Sequence, residues 1–139
     1  MEGLDRFILA QARNHADAER EIAAGHKETH WMWYVFPQLR GLGRSNFAQR
    51  YGLEGLSEAQ AYLAHPVLGP RLERMCRLML THQGTRPEAI LGKVDAMKLR
   101  SSATLFAAIA GADSVFDEIL DGFFEGWPCA KTVKLLERA

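Results

Sequence analysis

Residues 25–45 read GHKETHWMWYVFPQLRGLGRS and concentrate the side chains best suited to chemistry. His30 is a candidate general base, with Glu28 as the alternative carboxylate for the same proton transfer. Lys27 and Arg44 offer cations and Gln38 an amide, while Trp31 and Trp33 offer flat rings on which a planar ligand can stack. A second concentration lies at residues 95–104, DAMKLRSSAT. Helical spacing there puts Asp95, Lys98 and Ser102 on one stripe, with Ser101 and Thr104 adjoining. Three hydroxyls in four positions on a largely apolar helix need hydrogen-bond partners, and contact with the tryptophan stretch would supply them.

Lys27, Arg44 and Lys98 together fit an anionic small molecule such as a phosphate, nucleotide or carboxylate. The expected ligand-binding set is Lys27, His30, Trp31, Trp33, Gln38, Arg44, Asp95, Lys98 and Ser102. Neither a reaction nor an oligomeric state follows from these residues. The competing expectation is a non-catalytic helical interaction module, whose aromatic run fills the core or faces a protein partner.

Other chemistries fit less well. His26 and His30 are four apart, but a metalloprotease helix needs its glutamate directly after the first histidine, and here Glu28 is two places on. Neither a metal site nor a cofactor is expected. Gly41-Leu42-Gly43-Arg44-Ser45 can present backbone N–H groups to an anion before a helix start. It lacks the third glycine of a dinucleotide fingerprint and the Lys-Ser/Thr of a P-loop. With 17 basic and 17 acidic residues the net charge is zero, which argues against a nucleic-acid polymer as partner. The two cysteines, Cys76 and Cys129, form no CxxC pair and suit a reducing cytosol. The N-terminal stretch has scattered charges rather than a signal peptide's apolar core, and no run approaches a membrane span. These features place the protein in the cytoplasm, away from membranes.

The rest of the chain must position those residues, and its periodicity is helical throughout. Leu4, Phe7, Ile8, Ala12, His15, Ala18 and Ile22 recur at steps of three and four, and Gly25 suits the end of that helix. Ser45 can cap a short helix, Ser57 to Gln60 reads as a capping box, and His65-Pro66 stops the helix that follows. Pro70 suits the first turn of the next helix, where Cys76 falls on the apolar stripe as a core thiol. Thr85 to Glu88 reads as a second capping box, Asp95 as the cap of the most buried helix, and Asp113 or Ser114 as the cap of another. Residues 128–138 form a terminal helix. The one β-like run is residues 31–36, too isolated to build a sheet. The expectation is all-α: one compact domain over residues 1–139, of about seven helices.

Long motifs support this reading. Gly25-x-Lys27-x-x-His30-Trp31-Met32-Trp33, Phe36-Pro37-Gln38 and Gly41-Leu42-Gly43-x-Ser45 resemble domain-of-unknown-function family 1810. So do Ala61-Tyr62-Leu63-x-His65-Pro66-x-Leu68-Gly69-x-Arg71-Leu72 and Asp95-x-x-Lys98-Leu99-x-Ser101-Ser102-x-Thr104-Leu105-Phe106, with Phe124-x-Gly126 and Thr132 beyond. The resemblance spans nearly the whole chain and implies a bacterial, mainly helical protein without an established activity. Some members carry a calpastatin-like name, but no inhibitor repeats occur here. The family pattern has an acidic residue between Gly126 and Thr132, where this chain has Cys129.

Overall fold

The computed structural model describes residues 3–138. Among them are nine helices and no strand: α1 (Asp5–Ala23), α2 (Met32–Val35), α3 (Asn46–Tyr51), α4 (Leu56–Ala64), α5 (Leu68–Leu80), α6 (Pro87–Leu91), α7 (Lys93–Ala107), α8 (Val115–Phe124) and α9 (Ala130–Glu137). The all-α expectation holds, with nine helices in place of about seven. No helix among the described residues is long and apolar enough to cross a membrane.

α7 is the centre of the packing, set against α8, α6, α4 and α9, while α5 joins α8 to α1. Its apolar residues surround the axis, so Ala96, Leu99, Ala103, Leu105 and Phe106 are all buried. Phe106 stacks on Phe116 of α8 and tilts against Tyr62 of α4. Cys76 is a core thiol, as expected, and both cysteines are free.

α1 buries Phe7, Ala18 and Ile22, but Arg6, Gln11 and Glu21 lie on the same inner face. These polar residues reach three separate parts of the chain. The Arg6 guanidinium clamps both oxygens of Glu58 at 3.0 and 3.1 Å and donates to the carbonyls of Arg50 and Gly52 at 2.7 and 3.0 Å. Gln11 donates to the Tyr34 carbonyl at 2.7 Å and to the Tyr62 hydroxyl at 3.0 Å. Glu21 holds the turn that follows α1.

Residues 31–36 are not extended. They turn once as α2, and every residue but Trp33 is buried. No neighbouring strand is there to pair with this backbone, so its amides are met locally: Val35 N–H donates to the Trp31 carbonyl and Phe36 N–H to that of Met32. Trp31 and Trp33 therefore do not share a side. Trp31 points into the core and Trp33 reaches the surface beside Phe47, with ring centres 4.8 Å apart.

The helix starts divide. Ser45 caps α3 by accepting the Ala48 N–H at 3.0 Å. Ser45→Ala should cost about 1 kcal/mol in urea unfolding. Asp113 accepts the Val115 N–H at the head of α8. Ser57 lies inside α4, which starts at Leu56 after Gly55 without a side-chain cap, so the expected capping box does not form, and Glu58 is drawn to Arg6. Pro87 occupies the first position of α6, leaving Thr85 outside the helix. α7 begins at Lys93 after Gly92, so Asp95 sits in the first turn and is free to bind cations.

Candidate functional site

The tryptophan stretch is fixed by one carboxylate. Glu21 accepts the N–H groups of Glu28 and Thr29 at 2.8 and 3.0 Å, the Thr29 hydroxyl at 2.6 Å and the Trp31 indole N–H at 3.0 Å. Burial pushes this carboxyl's pKa up, but the four donors outweigh burial and bring it down to about 2. Gly25 makes the preceding reversal possible, with φ at +77°, in the left-handed region where a side chain is strained.

With the turn set, Lys27 meets the α7 stripe. Its ammonium is 2.9 Å from Asp95, donates to the Thr29 carbonyl at 2.6 Å and lies 4.9 Å from the centre of the Trp31 ring. Asp95 also faces Lys98 at 3.5 Å, and the Lys98 ammonium lies 4.8 Å above the Trp33 ring. The two segments singled out in the sequence thus fold against each other. The lysines differ in role, however. Lys27 is spent on Asp95, Thr29 and Trp31 and is only 7% exposed, so these residues form a closed joint. Lys98 passes through that joint into an open groove.

The groove, of about 410 Å³, runs between the loop of residues 38–43, α7 and the head of α9. Leu42, Val94 and Met97 give it an apolar side, while Gln38, Lys98, Arg100, Ser101 and Lys131 give it polar groups. No carboxylate among the described residues lines it. The loop is held by a single parallel bridge between Leu39 and Leu53, in which Leu53 N–H donates to the Gln38 carbonyl at 2.9 Å. Gly43 lets the loop close on α3: a Cβ there would meet that of Ala48 at 2.7 Å.

The α7 hydroxyls find partners, but in the head of α9 and not in the tryptophan stretch. Thr104 donates to the Arg100 carbonyl at 2.8 Å and accepts the Cys129 N–H at 2.9 Å. Ser101 Oγ lies 3.1 Å from the Met97 carbonyl and 3.3 Å from the Cys129 sulfur. Ser102 is buried and is not among the residues lining this groove.

His30 and Trp33 line a different and larger hollow, of about 710 Å³, beside α1 and α3, with Arg13, Asn14, Tyr34, Phe47 and Tyr51. His30 and Glu28 are both exposed, and neither side chain has a hydrogen-bond or ion-pair partner among the described residues, so no acid–base pair is assembled. Arg44 is exposed and lines neither hollow; its carbonyl accepts from Gln49. The glycine turn before α3 enters the groove through Leu42 and Gly43, not through a helix end. No group of three or more histidine, cysteine or acidic residues that could hold a metal ion occurs among the described residues.

Lys131 escaped the sequence reading, because a terminal helix carries no signal of where its head will dock. Thr132, fully buried at the third position of an otherwise amphipathic α9, was the available sign.

A helical domain whose tryptophan-bearing turn is locked to α7 by Lys27 and Asp95 defines the class, and the chain belongs to the family described as "Protein of unknown function (DUF1810)", matched over residues 1–136. It is similar to the conserved hypothetical protein Rv1873 from Mycobacterium tuberculosis, known from a crystal structure, at 48% identity over 96% of each chain with a TM-score of 0.94. No curated protein matches it significantly.

Proposed function

We propose that the protein binds a small anionic metabolite, with a phosphate or carboxylate group and an apolar or planar remainder, in the groove between the 38–43 loop, α7 and α9. The observation that carries this reading is the groove's lining: Lys98, Arg100 and Lys131 line it together with Leu42, Val94 and Met97, and no carboxylate among the described residues does. Its volume of about 410 Å³ lies within the range of small-molecule sites. Lys98 is held over Trp33 and against Asp95, so little of its freedom is lost on binding. Gln38 supplies an amide for orientation, and Gln38 and Ser101 can bond neutral parts of the ligand. Relative to the set expected from sequence, this reading keeps Gln38 and Lys98. It makes Lys27, Trp31 and Asp95 the support behind them.

The test is a thermal-shift screen of phosphorylated and carboxylated metabolites against the wild type, Lys98→Ala and Lys131→Ala. A stabilising compound should raise the wild-type midpoint and lose at least about tenfold in affinity in either variant, since a hydrogen bond to a charged group contributes about 1.5–3 kcal/mol. Equal stabilisation of all three proteins, or no stabilising compound, would overturn the reading.

The interaction-module reading has one observation in its favour: the hollow beside α1 exposes Leu9 and Phe47, at 69% and 52%. Concentration-dependent mass in light scattering, abolished by Phe47→Ser, would support it.

A further inference from the structure

We propose that Cys129 is a modification site: a nucleophilic thiolate at the head of α9, open to the groove, that small hydroperoxides oxidise to a sulfenic acid. The inference uses the same groove as the proposed function but requires no bound anion.

Three observations converge on the sulfur. First, Cys129 stands at the cap position of α9, and no side-chain hydrogen bond closes that helix head. The N–H groups of Lys131 and Thr132, the two donors that an oxygen cap would normally satisfy, face the sulfur. Second, the Thr132 hydroxyl faces the same sulfur. It is fully buried and has no oxygen or nitrogen partner. A buried hydroxyl without a good acceptor is unfavourable, and an ionised sulfur at this place relieves that cost. Third, Ser101 has one proton for two acceptors, the Met97 carbonyl and the Cys129 sulfur, and a thiolate competes for it far better than a thiol.

The surroundings act in the same direction. Burial alone pushes the thiol's pKa up, but the Ser101 and Thr132 hydroxyls and the two backbone donors hold it below its ordinary value. Lys98 and Lys131 line the same groove, and no carboxylate among the described residues does. The backbone of Cys129 is fixed by its N–H bond to Thr104, so the sulfur is presented by a rigid element. Cys76 is the internal contrast: it is 1% exposed and burial pushes its thiol far up, so it offers neither access nor ionisation.

In the step itself the thiolate attacks the outer oxygen of the hydroperoxide. An S–O bond forms as the O–O bond breaks. Sulfur loses two electrons, the peroxide gains them, and the departing alkoxide takes a proton from solvent to leave as the alcohol. The new oxygen on sulfur is a further acceptor for the donors gathered there.

The experiment measures iodoacetamide labelling of Cys129 against pH by mass spectrometry, in the folded protein and in the urea-unfolded chain. The expected folded midpoint lies below the unfolded one. Ser101→Ala and Thr132→Val should each raise the folded midpoint and slow labelling at pH 6.5 by at least about threefold, with Thr132→Ser restoring it. Hydrogen peroxide followed by dimedone should tag Cys129 and leave Cys76 untouched. A folded midpoint at or above the unfolded one, or variants that label as fast as the wild type, would overturn the proposal, as would absence of the dimedone tag. If Thr132→Val does not fold, Ser101→Ala decides. Failure of the anion reading would appear in the thermal-shift screen alone and leave these labelling rates unchanged.

Discussion

Arg6→Ala is expected to lower stability in urea unfolding by about 3–5 kcal/mol, the cost typical of breaking a buried ion pair from one side. Arg6 is 5% exposed and its fork is fully used on Glu58 and on carbonyls of the α3–α4 connection. Removing it takes the guanidinium from Glu58, which keeps the Glu54 N–H, and takes a donor from the Arg50 and Gly52 carbonyls. Arg6→Lys should recover only part of the loss, because one ammonium cannot replace a planar two-pronged donor. In a double-mutant cycle, Arg6→Ala with Glu58→Ala should cost clearly less than the sum of the two single changes. Additive costs would show that the clamp is not a unit.

Glu21→Gln should cost about 3 kcal/mol at pH 7, the free-energy equivalent of a carboxyl lowered from 4.5 to about 2. An amide offers one acceptor oxygen and turns its N–H₂ group toward donors that the carboxylate accepted. The sign of the pH dependence follows from a folded pKa below the unfolded one. The contribution is complete above about pH 4.5 and drains away as pH falls toward 2. Unfolding curves at pH 7 and pH 3 should therefore show the gap between wild type and Glu21→Gln narrowing with acid. A gap that stays constant would mean that the four donors do not depend on the charge. Because Glu21 sets the turn carrying Lys27 and Trp31, the variant should also weaken anything bound by Lys98.

Both effects arise from charged residues on the inner face of α1, and that explains where the sequence is hard to read. Periodicity finds α1 through Phe7, Ala18 and Ile22, but it gives Arg6 and Glu21 no reason to be inside; their partners come as far as 52 residues later for Arg6 and 7 to 10 residues later for Glu21. The all-α class is legible because α5, α7 and α8 each carry an unbroken apolar pattern, and His65-Pro66 ends α4 where local sterics demand. Residues 31–36 are misleading because β-prone aromatic residues favour a strand only where another strand can receive it, and the lone bridge from Leu39 to Leu53 lies beyond them. Asp95 is misread as a cap because Gly92 already ends α6 and admits α7, which releases the carboxylate for two lysines.

The site divides in the same way. Lys27, Trp31, Trp33, Asp95 and Lys98 do meet, since opposite charges and facing rings in two conspicuous motifs identify each other. His30 and Arg44 share the motif but not the place, because one helical turn at α2 and the loop before α3 send them elsewhere. The third wall, α9 with Cys129 and Lys131, depends on how a terminal helix docks, and its hydroxyl contacts with Ser101 and Thr104 appear only in three dimensions.

The most direct measurement of the groove's role is an amide NMR titration of the ¹⁵N-labelled protein with the best-stabilising phosphorylated or carboxylated compound. The predicted result is saturable shifts at Gln38, Gly43, Lys98, Ser101 and Lys131 that vanish in Lys98→Ala. Shifts confined to His30, Asn14 and Phe47 of the hollow beside α1, or none at saturating compound, would contradict it.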